Sequence, residues 1–117
     1  PKDQTISIKK RDFVIRKLAN RVAWFQFEQL CGGHIGAEDY IEMIKHTDQI
    51  IIENVPIFNN ANANMQERFI NLIDVLYDNK IQIIISSVKE IEKIGSAFYL
   101  KDKFQRTVSR LIEMRSN

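Results

Sequence analysis

Two short runs of branched apolar residues constrain this chain most: Gln49-Ile50-Ile51-Ile52 and Ile81-Gln82-Ile83-Ile84-Ile85. Each is too short for a helix and too continuously apolar for a strand with one wet face, so each is expected to be a strand covered on both faces. Pro56 stops the first run from continuing as a central strand. Between the runs, Met65, Phe69, Leu72, Ile73 and Leu76 fall on one stripe of a helix of about four turns, which Asp78-Asn79 ends. Strand, helix and strand in that order make a parallel crossover unit. Phe69, Leu72, Ile73 and Leu76 should face the two strands.

The rest of the chain must fit around that unit. Thr5 to Ile8 alternates, and Asp12 to Leu18 carries Phe13, Val14 and Ile15. Val22 to Phe27 is rich in aromatic and branched residues, as strands are. Ala19-Asn20-Arg21 is short enough to join the last two segments as a hairpin. Gly36 precedes a helical stretch of about ten residues with Ala37, Tyr40, Ile41 and Ile44 on one face. A weaker helical piece is expected over Lys89 to Ile94, broken by Gly95. A final helix is expected from about Lys101 to Met114, with Phe104, Val108, Leu111 and Ile112 on its inner stripe. The fold class is therefore α/β, a mixed sheet with an N-terminal hairpin and a parallel β-α-β unit. The 117 residues are expected to form a single domain, with a hairpin region over 1–30 and an α/β region over 31–117. The chain opens at Pro1 without an initiator Met and is read as a piece of a longer protein.

Charge narrows the partners. Seventeen basic against fifteen acidic side chains leave a net charge of +2, too small an excess to argue for nucleic acid. No apolar run is long enough to insert in a membrane. Cys31 is the single cysteine, which excludes an intrachain disulfide and favours a reducing compartment.

Several short motifs carry possible chemistry. Ile50-Ile51-Ile52-Glu53-Asn54 resembles a Walker B strand, whose terminal carboxylate holds the Mg²⁺ shell of a nucleotide. A working version ends in two acidic residues, and here the second position is Asn54, which cannot act as a base. The plain alternative is a buried strand ending in a polar loop. Ser86 and Ser87 close the next strand, where a sensor residue would meet a γ-phosphate and where ligands bind parallel sheets. Ser109-Arg110-Leu111 resembles an arginine-finger box, which makes Arg110 a candidate trans-acting arginine at a neighbouring subunit's phosphate. Arg106 lies one turn earlier and Lys103 extends the same face, so Lys103 and Arg106 form a candidate partner-facing basic face. The alternative there is a solvated face opposite a core stripe, with Glu113 pairing Arg110. Cys31-Gly-Gly-His34 is half of a zinc pattern without a second half, so no metal is assigned. No Gly-x-x-x-x-Gly-Lys-Ser/Thr occurs, so nothing here cradles phosphates and no ATP is expected to bind this stretch.

Three segments together resemble a known family. Phe25-Gln-Phe-Glu-Gln-Leu30-Cys31 followed by Gly36-Ala-Glu-Asp-Tyr40 resembles "FxFxxLC…LGAxDY". Arg68-Phe-Ile-Asn-Leu-Ile-Asp74-Val-Leu-Tyr77-Asp78 resembles "RFIxLIDxLYD". Phe104-Gln-Arg-Thr-Val-Ser-Arg-Leu-Ile-Glu-Met114 resembles "FxRTxSRLxEM". These are motifs of the Afg-one-like, or ZapE, family of AAA+ P-loop ATPases, and the resemblance spans about residues 20 to 116. Where that family has Asp-Val-Pro after the strand, this chain has Glu53-Asn54-Val55-Pro56, so the acidic residue is displaced. Where it has Pro-Leu-Gly after the cysteine, this chain has His34-Ile35-Gly36.

The resemblance implies a carboxy-terminal portion whose phosphate loop and true Walker B lie upstream, with ATP and Mg²⁺ bound in the parent protein. It also implies an architecture like the second half of an AAA+ core. The function expected is a noncatalytic carboxy-terminal domain of an ATPase linked to cell division or membrane-protein quality control. Its partners would be the rest of the ATPase chain, neighbouring subunits and a division or protease partner. The setting would be bacterial cytoplasm or the mitochondrial matrix side. A protein-docking module and a stand-alone AAA+-like regulator that oligomerises with an ATPase are the alternatives.

Overall fold

A computed structural model gives the fold and describes residues 4–8, 11–15, 18–19, 21–33 and 35–115, with side chains described from 21 to 114 except at 34. Among the described residues, six strands and four helices follow one another: β1 (Gln4–Ile8), β2 (Arg11–Ile15), β3 (Leu18–Ala19), β4 (Val22–Gln26), α1 (Phe27–Cys31), α2 (Ala37–Ile44), β5 (Gln49–Val55), α3 (Ala63–Asp78), β6 (Gln82–Ser87) and α4 (Lys101–Arg115). β1 and β2 form an antiparallel ribbon. The main sheet has the order β3-β4-β5-β6, with β3 antiparallel to β4 and β4, β5 and β6 parallel. The mixed α/β sheet and its crossover unit are as the sequence pattern predicts. The final helix also matches.

The N-terminal segments divide differently from expectation. The expected strand from Asp12 to Leu18 is two strands: β2 pairs back with β1, while only Leu18 and Ala19 pair with β4. The hairpin turn contains Arg21 at φ 63°. β4 lies within the first 30 residues yet joins the same sheet as β5 and β6. Phe27 opens α1 instead of ending a strand. Gln29 reaches back so that its Oε1 accepts the Gln26 N–H at 2.7 Å, which caps the short helix. The piece expected as helix over Lys89 to Ile94 is a 3-10 turn over Ile91–Lys93.

Alternation along the sheet decides what is buried. Ala23, Phe25, Ile50 and Ile52 are fully buried against the helices. Register places Trp24, Ile51 and Ile84 in one row on the opposite face. The expectation that both Ile-rich runs are covered on both faces is therefore wrong for β6. It is an edge strand with Ile84 48% exposed, and Ile81 precedes it.

The helical layer closes over Phe69, Ile70, Leu72, Ile73 and Leu76, all fully buried on α3. Four rings meet beneath it. Phe27, Phe58 and Phe69 lie 5.6–5.8 Å apart by centroid, and Phe104 stands edge-on to Phe58 at 5.4 Å. Such pairs add roughly 0.5–1.5 kcal/mol each beyond the area they bury. Gly95 closes the far side at φ 85°, where a β-carbon would stand 2.7 Å from the Phe58 carbonyl oxygen.

Candidate functional site

The carboxyl ends of β4, β5 and β6 form one edge, the place where a parallel sheet offers ligands its loops. Gln26 Nε2 donates to Glu53 Oε1 at 2.6 Å, and Asn54 Nδ2 donates to Gln26 Oε1 at 2.5 Å. Asn54 has φ 64°, and there the β5–β6 register shifts so that Ile52 pairs with Ile85 but Val55 with Ser87. One extra residue on β5 is absorbed as a bulge, which turns Asn54 outward. Ser86 is exposed beyond Ile84, while Ser87 Oγ donates to the Lys89 carbonyl at 2.5 Å and shapes the turn. The structure thus gathers Glu53, Asn54, Ser86 and Ser87 along one sheet edge.

The basic residues of α4 are placed differently. Arg110 Nη1 binds Asp74 Oδ1 of α3, and its Cζ lies 4.6 Å from the centre of the Tyr77 ring. Arg110 keeps only 23% side-chain exposure and is held against α3, whereas a trans-acting arginine has to reach a neighbouring subunit. Glu113 does not pair with Arg110. It accepts the Tyr77 hydroxyl at 2.9 Å, and that bond raises the Tyr77 pKa because it favours the protonated phenol. Lys103 Nζ reaches Glu67 Oε2 at 3.8 Å, a heptad before the Arg110–Asp74 pair on both helices. Equal spacing in the same direction means that α3 and α4 run parallel, as successive helices on one face of a parallel sheet do. Arg106 is exposed.

A third cluster joins α1, α2 and α3. Tyr40 Oη donates to the Leu30 carbonyl at 2.6 Å, and Arg68 Nη1 donates to the Cys31 carbonyl at 3.5 Å. Burial pushes the Cys31 thiol up to about 12, opposed by a Tyr40 hydrogen bond and the Arg68 charge. Tyr40 is raised by burial and by its thiol neighbour. Burial and a raised pKa both favour the protonated thiol over the thiolate. His34 lies outside the described residues. Sequence reasoning missed Gln66, which is fully buried on α3. Its Nε2 donates to Ser96 Oγ and its Oε1 accepts the Ala97 N–H, both at 2.8 Å. A polar residue within an apolar helical stripe was the available signal.

The α3–α4 contact and the α1–α2–α3 cluster draw on the three sequence segments singled out above: Cys31 and Tyr40, Arg68, Asp74 and Tyr77, Arg110 and Glu113. The profile of the AFG1-like ATPase family matches residues 1–117. The chain belongs to that family.

Individual relatives agree. An uncharacterized protein of Schizosaccharomyces pombe is 34% identical over 84 residues, 72% of this chain and 18% of that protein. Lactation elevated protein 1 homolog B of Danio rerio is 26% identical over 91 residues, 78% of this chain and 18% of its own length. Cell division protein ZapE of Escherichia coli is 28% identical over 112 residues, 96% of this chain and 30% of its length. The chain thus spans less than a third of the curated relatives it matches. No solved structure matches it.

Membership implies nucleotide and Mg²⁺ in an AFG1-like ATPase, and the residues here do not fit them. Among the described residues, β4, β5 and β6 bring one carboxylate to this sheet edge, Glu53, whose Oε1 already accepts from Gln26, and next to it an amide at Asn54. No glycine-rich loop with its lysine precedes any helix. No helix among the described residues is long and apolar enough to cross a membrane.

Proposed function

We propose that this chain is the noncatalytic carboxy-terminal domain of an AAA+ ATPase, with ATP and Mg²⁺ bound and turned over elsewhere in the polypeptide. The observation that carries the reading is the use made of the family motifs. Arg110, Asp74, Tyr77 and Glu113 clasp α3 to α4, and Cys31, Tyr40 and Arg68 join α1, α2 and α3. Side chains spent on joining helices serve a scaffold that must keep its shape while a neighbour does the chemistry. The domain echoes the second half of an AAA+ core, supports the nucleotide site and helps subunits meet. Its setting is the bacterial cytoplasm or the mitochondrial matrix side, in cell division or membrane-protein quality control. A division or protease partner would meet Arg106 before Lys103, because Lys103 is held by Glu67. Arg110 remains the residue for a trans-acting role, and that role requires it to leave Asp74.

Calorimetric titration of ATP-Mg²⁺ into this chain and into the full polypeptide tests the proposal. A site in the full polypeptide and none in the chain is expected. A micromolar ATP site in the chain alone would overturn it.

A further inference from the structure

Among the described residues no strand pairs with the outer side of β6, which ends the sheet. The Gln82 N–H donates to Asp48 O and the Val88 N–H to Val55 O, both on the β5 side. Backbone groups alternate along a strand, so Ile84 and Ser86 also face β5. The N–H and C=O groups of Ile83, Ile85 and Ser87 then point away from the sheet. Edge strands are normally blunted by charge, proline or brevity. Gln82-Ile83-Ile84-Ile85-Ser86-Ser87 has no charge and no proline. At the opposite edge, β3 is two residues long. Beside β6 runs a groove of about 740 Å³, lined by Ile83, Ile85 and Ile91 together with Leu111 and Met114 of α4. Val88 at its mouth is 61% exposed.

We infer that β6 takes an added β-strand, supplied by the same polypeptide outside these 117 residues. This rests on the domain reading above. An added strand supplies main-chain partners for Ile83, Ile85 and Ser87 and sends alternate apolar side chains into the groove against Leu111 and Met114. The occupant is assigned to the same polypeptide because the chain spans only 18–30% of its relatives, which leaves most of such a protein to supply the strand. A tethered strand also competes at an effective concentration of about millimolar, which a second copy does not match.

Amide hydrogen exchange of residues 82–88, compared between the full polypeptide and this chain, tests the inference. The Ile83, Ile85 and Ser87 amides should exchange at least ~100-fold more slowly in the full polypeptide, while Ile84 and Ser86 are protected in both. Ile85→Pro removes an outward N–H. The lost packing of Ile85 is common to both proteins, so a larger fall in melting temperature in the full polypeptide reports the edge. Equal, fast exchange of the three amides in both proteins would overturn the inference. So would their protection in this chain together with a dimer in sedimentation, which assigns the edge to a second copy. Neither readout involves nucleotide, so the domain assignment and the strand assignment fail separately.

Discussion

Arg110 on α4 reaches Asp74 on α3, a residue 36 positions earlier, with its guanidinium lying over the Tyr77 ring. The pair is half-buried, so solvent screens it less than a surface ion pair. A charge-assisted bond and a cation–π contact together favour α3–α4 docking by about 1–3 kcal/mol.

Arg110→Ala should therefore lower chemical-denaturation stability by about 1–3 kcal/mol, and Asp74→Ala should do nearly the same. The double variant should be less than additive, with a coupling of about 0.5–3 kcal/mol. Arg110→Lys should rescue poorly because a point charge lacks the planar fork. Turnover per folded molecule of the full ATPase separates the two roles. If Arg110 acts only as a clasp, turnover survives. If it also reaches a neighbouring nucleotide, Arg110→Ala cuts turnover by about 10³-fold while Asp74→Ala does not. Additive stability effects would show that the clasp is not coupled in solution.

Gly95 cannot carry a side chain where it stands. Its φ of 85° is one that L-residues rarely adopt, and a β-carbon would lie 2.7 Å from the Phe58 carbonyl oxygen, which is backbone and cannot swing away. Gly95→Ala should cost about 2–4 kcal/mol. A change below about 1 kcal/mol in urea denaturation would mean that Gly95 does not stand this close to the Phe58 carbonyl in solution.

The parts legible in the sequence are those in which one periodicity has one meaning. The α3 stripe repeats over four turns, and β5 is short, branched and stopped by Pro56, so both were readable. An all-isoleucine run looks the same at the centre and the edge of a sheet. What separates β5 from β6 is the presence of a further strand, which local sequence does not encode. α1 has five residues, too few to show a period after an aromatic run, and only the Gln26–Gln29 spacing hinted at its cap. Arg110 was legible as a residue and not as a contact. Four-residue spacing gives a basic face whether that face meets solvent or an aspartate on another helix.

Leu72 is fully buried on α3. Leu72→Ala should cost about 2–5 kcal/mol, the sum of lost transfer energy and a residual cavity. Gln66→Leu keeps the volume but leaves the Ala97 N–H without its acceptor, and should cost about 1–3 kcal/mol. Denaturation of both variants under one condition checks them. A Gln66→Leu variant as stable as the parent would show that the 96–97 loop finds other partners.

Cys31 gives the fold a dependence on alkaline pH. Burial raises its thiol from 9.0 to about 12, so the folded state holds the proton after the unfolded state has lost it. Between those values the folded chain binds more protons than the unfolded chain, and stability falls as pH rises. The contribution is fully present below about pH 9 and is lost progressively towards pH 12. Tyr40 is shifted the same way from 10.0, so it adds to the slope only in the upper part of that window. Denaturation midpoints at pH 8, 9.5 and 10.5 should fall stepwise in the parent chain, at roughly 1.4 kcal/mol per pH unit or less for each group. Cys31→Ala should lower stability at pH 8 through lost packing yet flatten the decline between pH 9 and 10, where Tyr40 contributes little. At pH 8 the thiol should react with an alkylating reagent only as fast as the protein opens. Rapid labelling of the folded chain, or an unchanged slope in the alanine variant, would show that Cys31 is not held in its buried, protonated form.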